Sequence, residues 1–287
     1  MLIRFYTFPV GHLVSDREFD SLKKGFEKVG MELVRKEDER DADIYMVKGF
    51  SHSWDEIPHD RPIVFYNIGT DSNSNECIAK LYLYSNAVVS ISQYCKEQIE
   101  ECFGKRDNHY IIFPAREANL PDEYPSYSWK GGIKLATTCI PRPVKRVEET
   151  ERLCKKYGIE LISAYGNIGD FHYYHDCHGY IHLSRKEGMP NTVLEAISYG
   201  LPCIVTNHGG AKEAIGDAGI IINNDPDFPK WKGDVEPVDD FLFEEAINNF
   251  IGHLPELRLR VRERVLTKLN DKITAERFKN IYENIVL

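Results

Sequence analysis

The chain has 287 residues, with 36 Lys and Arg against 45 Asp and Glu, a formal net charge of −9. Hydrophobic residues make up 42 % and charged residues 28 %, ordinary globular values that exclude collagen-like, low-complexity and disordered classes. The acidic balance argues against a general nucleic-acid binder, whose footprint is basic, though it leaves room for a local basic cleft.

No apolar run is long enough to span a membrane. The first residues lack the basic and apolar regions of a signal peptide. Seven cysteines without a paired framework then point to reduced thiols and a cytoplasmic setting.

In chain order, residues 2–8 form an apolar, aromatic strand candidate ended by Pro9-Val10-Gly11. Residues 16–29 carry helical spacing at Phe19, Leu22, Phe26 and Val29 and stop at Gly30. Strands are predicted at 32–35, 44–47, 62–68, 87–91 and 110–113, and helices at 76–84 and 93–103. The run Ile63-Val64-Phe65-Tyr66 is continuous rather than alternating, as in a strand covered on both faces. Residues 118–132, with Pro121, Pro125 and Gly131-Gly132, read as a linker. The alternation then restarts, with strands at 133–137, 160–164, 179–183, 203–206 and 219–222. Helices are predicted between them at 147–157, 190–199 and 211–215, and the tail from 241 is mostly helical, with breaks near Pro255 and Asn270-Asp271. The pattern implies two α/β units, each a parallel sheet between helices.

The densest chemical signal runs from Ser184 to Pro202. It is strand, glycine turn, helix, glycine stop. Gly188 lets backbone approach a ligand, and Pro190 suits a first helical turn. The N–H groups of Asn191 and Thr192 at the helix start make an anion site. Glu195, one turn further in, could reach sugar hydroxyls as acidic residues do in dinucleotide folds. A second glycine turn, Asn207-His208-Gly209-Gly210, sets another helix start beside the first. A plain strand-turn-helix with structural glycines would have the same spacing.

The string Glu187-Gly188-Met189-Pro190-Asn191-Thr192-Val193-Leu194-Glu195-Ala196, with Gly200-Leu201-Pro202 and the later Thr-x-x-Gly-Gly-x-x-Glu, resembles the sugar-nucleotide motif of retaining glycosyltransferases of the GT-B fold, the family 4 (group 1) type. Weaker similarity lies at 87–92, 218–222 and in the closing helices. The resemblance implies two Rossmann-like domains with parallel sheets facing across a cleft. Their expected bounds are 1–125 for the acceptor domain and 133–271 for the donor domain, with the helix at about 272–287 packing back on the first. It implies transfer of a hexose from a UDP- or GDP-linked sugar to an acceptor hydroxyl, with no cofactor and no metal. By this resemblance Glu187, Gly188, Met189 and Pro190 line the donor sugar, Asn191 and Thr192 meet the diphosphate, and Glu195 takes the ribose. Arg142 and Lys145 form the diphosphate clamp, three apart rather than at the usual Arg-x4-Lys spacing, with Arg146 as a substitute. Gly11 stands where the family has a glycine pair, and Gly166 opens the shortened base-contact stretch; both are expected to bind donor. Asn67 stands in for the family's acceptor-side histidine.

Other signals have other readings. His172 to His182, with Cys177, looks metal-rich but fits no standard zinc spacing, and satisfied structural histidines are expected. Asp71 is an acceptor-side residue or an Asx-turn cap. Lys48 to Trp54 forms a sugar-acceptor wall or a packed loop. The basic run Arg258, Arg260, Arg262, Arg264, Lys268 and Lys272 is a solvated helix face, with peripheral membrane contact as the lesser reading. Three rival functions stay open: a transferase acting on modified DNA bases, a non-catalytic sugar-nucleotide-binding module, and a nucleotide-sugar epimerase.

Overall fold

The computed structural model describes residues 1–7, 13–49, 54–69, 76–124, 132–139, 141–164, 171–185, 187–224 and 237–286, the side chains of 13–15 aside. Gly11, Gly166, Asp71 and Phe50 to Ser53 lie outside the described residues. The chain divides into two compact units, Met1–Glu117 with Lys268–Leu287, and Ala118–Thr267. The stretch read from sequence as a linker therefore goes with the second unit. Asn119 N donates to Ser198 O at 2.8 Å, which ties it there.

Unit 1 is built on β1 (Leu2–Tyr6), β2 (Glu32–Arg35), β3 (Ile44–Lys48), β4 (Ile63–Asn67), β5 (Ala87–Ser90) and β6 (His109–Ile111). They form one sheet in the order β2-β1-β3-β4-β5-β6, every pairing parallel. β3, β4 and β5 are buried at every position, which explains their unbroken apolar sequences. Helices α1 (Leu13–Lys28), α2 (Glu76–Tyr84) and α3 (Gln93–Phe103) cover the sheet. In α1 the buried stripe is Phe19, Leu22 and Phe26, the helical spacing seen in the sequence.

Unit 2 holds β7 (Lys134–Thr137), β8 (Glu160–Ser163), β9 (Gly179–His182), β10 (Cys203–Thr206) and β11 (Gly219–Ile222). Their order is β11-β10-β9-β7-β8, again all parallel. The chain runs from β7 outward to β8, then returns to lay β9 on the other side of β7. Strand order reverses there, and in open α/β sheets ligands bind at the carboxyl ends flanking such a reversal. Helices α4 (Val147–Lys156), α5 (Asn191–Ser198), α6 (Ala211–Ile215) and α7 (Asp240–Thr267) surround this sheet. Ile181, Leu183, Ile204, Phe243, Phe250 and Leu254 form its core.

The expected break at Pro255 does not occur, since α7 continues through it. A proline costs a helix one hydrogen bond and a steric clash. Phe250, Leu254 and Leu257 are buried on either side of it, and that packing fixes both halves of the helix. The other expected break, near Asn270-Asp271, does occur: α7 ends at Thr267 and α8 (Asp271–Val286) follows. No helix among the described residues is long and apolar enough to cross a membrane. No disulfide joins the cysteines.

α8 belongs to unit 1 and packs on α1. Phe26 meets Phe278 at 5.8 Å and Tyr282 at 6.0 Å, both edge to face. Lys28 Nζ pairs with Asp271 at 2.7 Å. The close approach depends on Gly25, where an added Cβ would lie 2.3 Å from the carbonyl oxygen of Asp271. Gly25→Ala gains about 1 kcal/mol of helix propensity but forces two backbones apart, a loss of about 1–3 kcal/mol. The net expectation is a lower urea midpoint for unit 1, and an unchanged or higher midpoint would contradict this packing.

Candidate active site

The two strands at the reversal supply the first pair of side chains. Cys139 lies just beyond β7 and His182 closes β9, and Cys139 Sγ is 3.0 Å from His182 Nδ1. The other ring nitrogen, Nε2, is 2.8 Å from Glu187 Oε1. Lys145 Nζ binds the same Oε1. One carboxylate oxygen therefore carries two cationic partners.

Burial by itself would push the His182 value down, but Cys139 and Glu187 pull it up to about 9. Burial alone would raise Glu187, but the hydrogen bond and charge of His182, joined by Lys145, bring it down to about 2. Cys139 is also lowered: desolvation opposes this, and His182 outweighs it. All three directions describe one charge-separated cluster, with His182 protonated and Glu187 ionised.

The loop after β7 is fastened where Lys145 needs it. It forms a 3-10 turn, Pro143–Lys145, closed by Lys145 N on Arg142 O at 2.8 Å. Arg185 N donates to Val144 O at 2.8 Å and Ser184 Oγ to the same oxygen at 3.2 Å. The loop is thus pinned to the exit of β9. Arg146 follows in a left-handed conformation, φ 50 and ψ 41. The sequence offered Arg146 as a substitute clamp, and this is corrected: it is buried, with Nη1 on Leu183 O at 3.4 Å and an ion pair to Glu149, so it braces the loop. Arg142 is exposed and makes no ion pair with a described residue; it lines a cavity of about 350 Å³ with Val147, Glu148 and Glu149.

The second glycine turn holds Glu187 from the other side. Gly210 N donates to Glu187 O at 3.1 Å, and Thr206 Oγ1 to Ser184 O at 2.6 Å. Gly209 has φ +62, and a Cβ there would lie 1.9 Å from Glu187 O. No other residue fits that place.

Pro190 caps α5 rather than entering it, its carbonyl accepting from Val193 N and Leu194 N, each at 3.1 Å. At the helix start the N–H groups of Asn191 and Thr192 have no acceptor inside the helix, and the helix dipole adds positive character. Tyr180, inside β9, stitches this helix to the sheet. Its hydroxyl is 2.9 Å from Thr138 Oγ1, accepts from Thr138 N at 3.2 Å, and is hydrogen-bonded to the Thr192 side chain. Gly188 is half-buried, while Met189, and Glu195 one turn into α5, are buried.

Glu187 and Lys145 thus come together directly, next to the head of α5 with Asn191 and Thr192. The histidine cluster divides. His178 is structural, its Nδ1 accepting from Lys134 N at 2.9 Å, and His175 packs on the Tyr199 ring. His182, expected to be one of the satisfied structural histidines, bridges Cys139 and Glu187; that pairing, and the part of Tyr180, were not read from sequence. The signal was there: an ionisable residue ends an otherwise uncharged buried strand, Gly179-Tyr180-Ile181-His182. Among the described residues no group of three or more His, Cys, Asp or Glu side chains is placed to hold a metal.

Two further readings change, and a third is decided between its alternatives. Asn67 is 1 % exposed, and its amide donates to Ser90 Oγ at 3.0 Å and Cys95 O at 3.3 Å, so its side chain is committed to the fold. Of the two readings for Lys48 to Trp54, Lys48 fits the packed one: it is buried in an ion pair with Glu18, which also accepts from Tyr66 OH at 2.9 Å. The basic run on α7 is only partly a solvated face. Arg258 stacks on Tyr124, Arg262 binds Pro121 O, and Arg264 is buried on Ala214 O and Glu213 O.

Two α/β units, each built on an all-parallel sheet, define the fold class, and solved structures match it: the chain has the GT-B fold. Sucrose-phosphate synthase from Thermosynechococcus elongatus superposes with a TM-score of 0.69 at 12 % identity, covering 99 % of each chain. HepE of Anabaena in complex with UDP gives 0.66 at 11 % identity, with 99 % of each chain covered. The lipopolysaccharide outer core galactosyltransferase WaaB in apo form gives 0.64 at 15 %, also over 99 % of each. In sequence, residues 141–229 match the family described as "Glycosyl transferases group 1". The O-antigen biosynthesis glycosyltransferase WbnH of Escherichia coli is 22 % identical over 229 residues, 75 % of this chain and 57 % of WbnH. The capsular polysaccharide biosynthesis glycosyltransferase CapM of Staphylococcus aureus is 26 % identical over 116 residues, 40 % of this chain and 28 % of CapM. The match thus spans little more than half the length of WbnH, and less of CapM.

Two measurements check the site. Gly209→Ala should cost about 2 kcal/mol or more, from a strained φ and overlap with Glu187, and an unchanged Tm would contradict the close contact. The ion cluster also sets a pH dependence. His182 lies above its ordinary 6.5, so its stabilisation is full below 6.5 and is lost as pH rises through about 9. Glu187 lies below its ordinary 4.5, so its stabilisation is full above 4.5 and is lost as pH falls through about 2. Urea midpoints of unit 2 should therefore decline as pH falls below 4.5 and as it rises through about 9. The lowered Cys139 gains stability as pH rises, which moves the maximum towards the alkaline side of that window. His182→Asn should flatten the alkaline decline, and an identical decline in that variant would contradict the assignment.

Proposed function

We propose that the chain is a glycosyltransferase that moves a hexose from a nucleoside diphosphate sugar, UDP- or GDP-linked, to an acceptor hydroxyl on a glycan, a lipid-linked glycan or a small molecule. The anomeric configuration is retained, as the family 4 resemblance implies. The observation that carries this reading is the ionised Glu187, held with Lys145 beside the head of α5, inside the segment matched by the group 1 family. The O-antigen and capsule relatives support a role in building a surface polysaccharide. Solved HepE complexes with UDP and with UDP-glucose support a nucleotide-sugar donor.

The chemistry asks for fixed positive charge, because the nucleoside diphosphate gains negative charge as the sugar leaves. Lys145, Arg142 and the N–H groups of Asn191 and Thr192 are the candidates. Glu187, fully ionised at neutral pH, accepts hydrogen bonds from hydroxyls of the transferring sugar. Gly188, Met189 and Pro190 line that sugar, and Glu195 takes the ribose. In the step itself the bond from the anomeric carbon to the phosphate oxygen breaks while the bond to the acceptor oxygen forms on the same face. The acceptor proton passes to the leaving phosphate oxygen, giving a glycoside and a nucleoside diphosphate. A cytoplasmic setting, with peripheral membrane contact for a lipid-linked acceptor, completes the reading.

Calorimetric titration of the full chain with UDP, GDP, ADP and their sugars tests it. One nucleoside diphosphate should bind at sub-millimolar concentration. Glu195→Ala should weaken that binding about tenfold or more, the value of charged hydrogen bonds to the ribose at about 1.5–3 kcal/mol. Glu187→Gln should keep nucleotide binding and reduce sugar transfer or donor hydrolysis by about a hundredfold or more. No binding of any of these at millimolar concentration would overturn the proposal, and binding with no turnover on any acceptor would favour a non-catalytic module.

A further inference from the structure

We propose that His182 is a positioning residue of the donor site: it remains on Glu187 as a fixed counter-cation, so that Lys145 can leave Glu187 for the donor diphosphate. This rests on the donor reading above and assigns His182 and Cys139 a part in it.

Both cations meet the same oxygen, Glu187 Oε1, and among the described residues Oε2 takes no hydrogen bond. The two cations differ in how they are held. The Lys145 side chain is 24 % exposed, on a flexible stem at the end of a 3-10 turn. The His182 side chain is 2 % exposed, its ring lies parallel to Tyr180, and its Nδ1 is tied to Cys139 Sγ. The first has open space beside it, and the second is held at both ring nitrogens.

The Glu187 side chain is 11 % exposed. If Lys145 were its sole partner, its departure would strand a largely buried charge, which is strongly destabilising. An incoming diphosphate would add further negative charge nearby. With His182 in place Glu187 keeps a counter-cation throughout, and Lys145 is surplus to the carboxylate. Cys139 Sγ serves by orienting the imidazole so that Nε2–H faces Glu187. The titratable groups facing His182 are Cys139 from the loop after β7 and Glu187 from the loop after β9, and Lys145 is the cation next beyond on the carboxylate.

The test is a double-variant cycle on the full chain, read as affinity for UDP and GDP by calorimetry. His182→Gln should weaken binding of the preferred nucleotide about tenfold, because Lys145 is then Glu187's only cation and stays on it. Adding Glu187→Gln removes that hold, so the double variant should bind within about twofold of Glu187→Gln alone. A general structural role for His182 would leave the loss uncorrected in the double variant, and that result would overturn the inference. If His182→Gln fails to fold, the unaltered chain still answers. Its nucleotide affinity should be constant from neutral pH and fall as His182 deprotonates near pH 9, and Lys145→Gln should lack that fall. A flat affinity through that range would overturn the inference while leaving the donor reading intact. Failure of the unaltered chain to bind either nucleotide would overturn the donor reading and the inference with it.

Discussion

Everything in unit 2 that distinguishes it from a plain α/β layer converges on Glu187 Oε1. A largely buried carboxylate cannot stay ionised without close positive charge. Here His182 and Lys145 supply it, each delivered by a different strand of the sheet. The reversal of strand order between β7 and β9 makes this possible, because two loops that are distant in sequence leave the sheet side by side. The backbone of Glu187 is fixed as firmly as its side chain, with Gly210 N–H on its carbonyl and Gly209 leaving room for it.

On the proposed function, the same arrangement would separate two tasks that a transferase site combines. A carboxylate that receives sugar hydroxyls must be rigid and charged, whereas a cation that follows a leaving diphosphate must be able to move. Placing an imidazole on a strand and an ammonium on a loop against one oxygen satisfies both. The Thr138–Tyr180–Thr192 hydrogen bonds extend this rigidity to the head of α5, whose first N–H groups are the proposed anion site. Unit 1 has charged groups of its own buried among its elements, Glu18 with Lys48 and Tyr66, and they hold helix α1 to the sheet.

Much of the fold was legible because its signals are local. Unbroken apolar runs such as Ile63 to Tyr66 mark doubly covered strands, and α2 and α3 fall where the sequence put them, at Glu76–Tyr84 and Gln93–Phe103. Pro255 misled because the cost of a proline is local, while the packing of Phe250, Leu254 and Leu257 that outweighs it is tertiary. The motif from Glu187 to Glu195 was readable for the same reason as the strands: its turn, cap and helix are contiguous. The His182–Cys139 contact was not, since it joins residues 43 apart across neighbouring strands. Asn67, Arg146 and Arg264 were misjudged for a related reason, as each looks available in sequence and is consumed by backbone carbonyls or side chains brought to it by the fold.

The claim on which the account turns is that His182 is a cation held on an ionised Glu187. Nitrogen-15 NMR of the full chain, with the imidazole signal assigned through His182→Gln, reports the protonation of both ring nitrogens directly. The account predicts that Nδ1 and Nε2 both carry protons at pH 7.5 and that the ring titrates near pH 9. A neutral, single-tautomer ring at pH 7.5, titrating at or below the ordinary histidine value of 6.5, would contradict it.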